Sequence, residues 1–145
     1  MPATLTTPPD APSTVAALAT VVLAPPRRLP TTGARAHRLI ARALLGGLAL
    51  QLFFAGLGVF GIATFLPHAL LGTVIIAASF ALPLIAWRGR LEATVQRLSW
   101  LLTGLMLLQG GLIDLGRVVH VVWALHPVNA MLLVLVTYSL ARRRL

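Results

Sequence analysis

The sequence predicts an all-α integral membrane fold, a bundle of four helices, and three observations predict it. The chain of 145 residues is 58% hydrophobic and only 10% charged, too apolar for an ordinary soluble domain. No charged residue occurs between Ala43 and Trp87, a run long enough to cross a bilayer twice at about 20 residues per crossing. All twelve basic residues are arginines, and they cluster at the ends of the apolar runs, where they face lipid headgroups and set orientation.

Against those arginines stand only Asp10, Glu92 and Asp114, so the net charge is +9. In a soluble protein that balance would suggest nucleic acid. Here the placement of the arginines makes the lipid bilayer the partner and argues against nucleic acid. The absence of cysteine excludes disulfides, thiolate metal sites and covalent haem attachment through a C-x-x-C-H motif. No serine has a nearby histidine and carboxylate, and there is no glycine-rich phosphate loop, so an independent catalytic activity is not expected.

Residues 1–35 read as a disordered tail rich in proline, threonine and alanine, in which Pro8-Pro9, Pro25-Pro26 and Pro30 break any long helix. The apolar patch from Val15 to Ala24 is about half the length of a span. Residues 36–145 form the transmembrane domain, with spans at about 43–63, 67–87, 98–119 and 127–141. The first break falls at Thr64 to Pro67, and Pro67 suits a helix start, where its missing N–H has no partner to lose. Pro83 is expected to bend the second span. The last span has an apolar part of only about 15 residues, which flanking arginines can extend by snorkelling.

With four spans, Arg27, Arg28, Arg35, Arg38, Arg42, Arg88, Arg90, Arg97 and Arg142 to Arg144 all fall on one side. The positive-inside rule makes that side cytoplasmic, with both termini inside, and the arginine-only basic content hints at a GC-rich bacterial genome, so the expected location is the bacterial cytoplasmic membrane. Arg117, His68, His120 and His126 then belong to the outer end. His37, between Arg35 and Arg38, reads as a neighbour of inner headgroups.

A repeat relates the two halves. Adding 58 takes Leu44 to Leu102, Gly46 to Gly104, Leu50 to Leu108, Gln51 to Gln109, Leu57 to Leu115, Gly58 to Gly116 and His68 to His126. Leucine and glycine matches are cheap in this composition, whereas the paired glutamines and histidines are not. Two tandem helical hairpins related by a pseudo-two-fold along the membrane normal would set His68 and His126 facing each other at similar depth.

A neutral imidazole is a good axial ligand for haem iron, and bundle sites are built from side chains on facing helices. The sequence therefore predicts a b-type haem between His68 and His126 near the outer face, in electron transfer or haem handling. Gly72 and Ala130, one turn beyond each histidine, would leave room for the macrocycle. Arg117 would pair with a propionate, Asn129 would bond a propionate or a ligand histidine, and His120 is a weaker candidate for a metal. Interfacial capping by the same histidines, or binding of another metal, uses the same residues. Gln51 and Gln109 should bond across helices, and Asp114 and Arg117 should neutralise each other three residues apart. The alternative to haem is a cofactor-free accessory or structural subunit of a larger membrane complex. A membrane redox partner would serve the first reading.

The segments His68-Ala69-Leu70-Leu71-Gly72 and His126-Pro127-Val128-Asn129-Ala130 resemble a family of small bacterial four-helix membrane proteins of unknown function, over about Arg38 to Arg142. More distantly, the arrangement is similar to one half of haem A synthase and to other b-type cytochrome bundles. That resemblance implies haem ligation by His68 and His126. The glutamate and histidine motif associated with haem A synthase chemistry is absent.

Overall fold

The computed structural model describes residues 31–143. The expected tail, its apolar patch and Arg144 lie outside them, apart from residues 31–35. Among the described residues the structure is helical: α1 (Thr32–Val59), α2 (Leu66–Ser79), α3 (Ala81–Arg88), α4 (Ala93–Gly116), a 3₁₀ turn (His120–Ala124) and α5 (Leu125–Arg142). α2 and α3 together make the second span, and the 3₁₀ turn leads into α5 as the fourth. Four segments are long and apolar enough to cross a membrane. The protein is a multi-pass helical membrane protein.

Each boundary has a local cause. α1 begins four residues before the expected start of the transmembrane domain at Ala36 because the Thr31 side chain caps it, accepting from the Ala34 N–H at 3.2 Å. It closes in a Schellman turn: Gly61 N–H bonds Gly58 O and Ile62 N–H bonds Leu57 O, with Gly61 at φ 69°. α4 stops at Gly116 rather than running to Val119. The fourth span is longer than its 15 apolar residues suggested, since the 3₁₀ turn extends it to His120–Arg142, 23 residues.

Pro83 acts as expected, but its effect lies upstream. A proline ring clashes with the carbonyl four residues back and cannot donate to it. That carbonyl belongs to Ser79, and the break between α2 and α3 falls at Phe80. The freed oxygen is not left bare: Thr103 Oγ1 on α4 donates to it at 3.1 Å. A kink in one span thus becomes a hydrogen bond to the next.

The four spans close a ring in which α1 packs against the second span and α5, and α4 packs against the same two. The diagonal pairs do not pack backbone to backbone. The inside holds Leu82, Leu102, Met106, Leu133 and Leu140 together with buried hydroxyls of Ser79, Ser99, Thr103 and Thr137. Phe53, Phe60, Phe80, Trp87 and Trp100 face outward. This is the arrangement expected where lipid is as apolar as leucine and packing with interhelical hydrogen bonds holds the bundle.

The 58-residue offset extends into the packing. The buried residues His37, Ala41, Leu44, Ile75, Ser79, Leu82 and Pro83 map onto Val95, Ser99, Leu102, Leu133, Thr137, Leu140 and Ala141, all buried as well. Glycines repeat their function too. A Cβ at Gly58 would come within 2.7 Å of the Phe65 ring, and one at Gly116 would overlap Trp123, the residue 58 beyond Phe65. In each hairpin a glycine leaves space for the aromatic that closes the loop. The ring order is the one a twofold axis exchanging the hairpins would produce.

Candidate functional site

The second and fourth spans bring His68 and His126 together across the diagonal, at the end of the bundle remote from most of the arginines. Both imidazoles sit in the first turn of a helix next to a proline, α2 for His68 and α5 for His126. Their ring centroids are 6.3 Å apart and the rings are inclined at 59°. Both residues are half-buried.

Their supports differ. His68 Nδ1 lies 3.1 Å from the Gln51 main-chain oxygen. A carbonyl can only accept, so Nδ1 carries the proton and Nε2 keeps a lone pair. In the second hairpin the same two residue types meet at the same spacing with the parts exchanged: the Gln109 side-chain amide donates to the His126 main-chain oxygen at 3.1 Å. His126 Nδ1 is buried and, among the described residues, has no hydrogen-bond partner. Gln51 Oε1 and Asn129 Oδ1 are buried and unpartnered in the same way. This end of the bundle thus holds three buried polar atoms with unused bonding capacity, which is costly without a partner.

Several expectations need correction. Asn129 is buried and committed: its Nδ2 donates to Leu105 O at 2.9 Å and to Gln109 Oε1 at 2.6 Å, so its amide group is tied to α4 rather than open to a propionate. The space over Gly72 is filled, since a Cβ there would meet the Gln51 Nε2 at 2.7 Å. Ala130 is half-buried beside Asn129. Arg117 stands on the surface, 3.9 Å from Asp114 across one helical turn, in the mutual pairing the spacing predicted. His120 stays apart from the other two, edge-on to Trp123 at 5.2 Å and exposed. No group of three or more metal-binding side chains occurs among the described residues.

The largest correction is His37. It is no headgroup neighbour but fully buried, 2.9 Å from Ser99 Oγ. Ser99 gives its own proton to Val95 O at 2.8 Å, so the imidazole Nε2–H donates to the serine oxygen, and Nδ1 is left buried and unpartnered among the described residues. The sequence holds a signal for this: His37, Ala41 and Leu44 follow a helical stripe, and Leu44 is already on the repeat.

A model of a family of unknown function (DUF6220) matches residues 51–117, from Gln51 through His68 to Arg117. No curated protein and no solved structure matches the chain.

Proposed function

We propose that His68 and His126 are the axial ligands of a b-type haem, and that the protein serves electron transfer or haem handling in the bacterial cytoplasmic membrane. The observation that carries this reading is the gap between the two rings. A metal held by two imidazole nitrogens at about 2.0–2.1 Å each, plus the radius of each ring, sets the ring centres roughly 6 Å apart, and these lie at 6.3 Å. The Gln51 carbonyl on His68 Nδ1 is the kind of outer partner that fixes the tautomer of a ligating histidine and leaves Nε2 available.

The spacing of the ring centres suits two imidazole ligands, whereas the slot for the macrocycle is filled by the Gln51 amide lying on Gly72. That amide is the group that must yield. Its Oε1 has no hydrogen-bond partner among the described residues to hold it there. When bound, haem supplies one-electron chemistry. His68 and His126 would hold the iron, and the Gln51 carbonyl would orient the His68 ring. If the arginine-rich end is cytoplasmic, as the positive-inside rule has it, the pair lies near the outer face.

The test is a spectrum. The full chain, expressed with ample haem and purified in detergent, should show the absorption of a six-coordinate b-type cytochrome, reduced or lost in both His68→Ala and His126→Ala. A colourless protein, or a haem signal untouched in both variants, removes this reading and leaves the cofactor-free subunit of a larger membrane complex.

A further inference from the structure

The loop at the opposite end of the bundle, between α3 and α4, carries a feature that the histidine pair does not explain. α3 ends in the same Schellman motif as α1: Arg90 N–H bonds Trp87 O at 3.1 Å and Leu91 N–H bonds Ala86 O at 2.9 Å. The motif requires one residue in the left-handed region. At the end of α1 that residue is Gly61, and at the end of α3 it is Arg90, at φ 48°. It is the one non-glycine with positive φ among the described residues. Left-handed backbone is unfavourable for any side chain with a Cβ, and arginine has none of the local hydrogen bonding that helps asparagine there.

The arginine is not needed to cap the helix. The carbonyls of Ile85, Ala86 and Trp87 already accept from main-chain N–H groups of the loop. Nor is it taken up elsewhere: among the described residues, neither Arg88 nor Arg90 forms an ion pair or a side-chain hydrogen bond, while the neighbouring Glu92 faces Arg143 at 3.9 Å. What the turn does is hold both guanidinium-bearing residues at an open recess of about 420 Å³, lined by Trp87, Arg88, Arg90 and Gln96. Gln96 gives its amide nitrogen to Leu91 O at 2.8 Å, which steadies the wall formed by the start of α4.

We propose that this recess binds the headgroup of an anionic phospholipid. Two guanidinium groups suit a phosphodiester, which they can grip with several charge-assisted hydrogen bonds. The recess lies where a span ends, at the depth of headgroups, and Trp87 is an aromatic of the kind that anchors at that interface. A lipid arrives there with its phosphate already at the right height, which a soluble phosphate does not. This assignment is independent of haem.

The test uses the full chain in detergent and native mass spectrometry with equal amounts of phosphatidylglycerol and phosphatidylcholine. Wild type should retain phosphatidylglycerol with a preference of roughly tenfold or more, the order expected for two arginines at a membrane surface. Arg88→Ala with Arg90→Ala should abolish the preference, and Arg35→Ala with Arg38→Ala should keep it. Arg90→Gly separates the binding role from a structural one, because glycine suits the left-handed position: thermal stability should rise while lipid retention falls. Equal retention of the two lipids by wild type, a preference that survives loss of Arg88 and Arg90, or one lost equally in the Arg35 and Arg38 variant would overturn the proposal. So would glycerol 3-phosphate displacing the lipid at comparable concentration, which would make this a soluble-phosphate site.

Discussion

Replacing Thr103 by valine tests the link between the proline kink and the neighbouring span. The single hydroxyl proton of Thr103 is divided between Ser79 O at 3.1 Å and Ser99 O at 3.2 Å. The Ser99 carbonyl lies inside α4, where the helical ladder already supplies it with an N–H. The loss therefore falls on Ser79 O, which Pro83 has deprived of its own helical donor. Leaving a buried carbonyl unpaired costs about 1–3 kcal/mol, while interhelical hydrogen bonds in membrane bundles average about 0.6 and reach about 1.7 kcal/mol. Thr103→Val, which keeps the shape, should destabilise the bundle by about 1 kcal/mol. In a Pro83→Ala background the alanine supplies a main-chain N–H that can take over Ser79 O, and the same change should then cost close to nothing. Unfolding of the full chain by a denaturing detergent, followed by circular dichroism, gives the four values of this cycle. An equal cost of Thr103→Val with proline or alanine at position 83 would mean that the hydroxyl acts on something other than the freed carbonyl.

Three further outcomes are expected. Ser99→Ala removes the acceptor of the buried His37 Nε2–H and should cost about 1–3 kcal/mol in the same unfolding assay; no loss would mean that the imidazole finds another partner. Gly58→Ala and Gly116→Ala should each destabilise by about 1–3 kcal/mol, the usual cost of overpacking, because an aromatic ring already occupies the space. Gly46→Ala and Gly104→Ala, where a Cβ meets nothing within 4 Å, should be neutral or stabilising, and a similar loss at all four positions would remove the distinction. Under the haem reading, Gly72→Leu should prevent haem uptake while helicity by circular dichroism is unchanged, and Gln51→Ala should raise haem occupancy by clearing the same space, both read from the ratio of haem to protein absorbance.

Much of the fold is legible in the residues because lipid imposes few solutions: long apolar runs between arginine clusters must be spans. The repeat is legible at the glutamines and histidines, where chance identity is rare, and it leads to a real apposition of His68 and His126. Distances within the site are not legible. Gly72 reads as free space because a glycine has no side chain, but whether a neighbour fills the gap depends on the rotamer of Gln51, which no spacing encodes. Asn129 reads as available because it follows a histidine by three, yet its amide nitrogen already donates to two acceptors on α4, 24 and 20 residues back in the chain. His37 is misplaced by its arginine neighbours in sequence, which point elsewhere. On a helix, residues one and two apart do not share a face, so Arg35 and Arg38 say nothing of where His37 points.

The exchanged parts of the two glutamine and histidine pairs have a consequence for the axis between them. In an assembly of two identical hairpins, each imidazole must have the same surroundings, and any change to one is a change to both. A single chain carrying both copies is free of that constraint. Here one ring is bonded by its Nδ1 to a main-chain oxygen, while in the other pair the bond falls on the histidine main-chain oxygen and, among the described residues, Nδ1 has no hydrogen-bond partner. The Gln51 oxygen sets the tautomer of the first, whereas among the described residues no hydrogen bond to Nδ1 sets that of the second. The two halves thus differ in how each histidine is hydrogen-bonded, a difference that two identical hairpins related by exact symmetry could not carry.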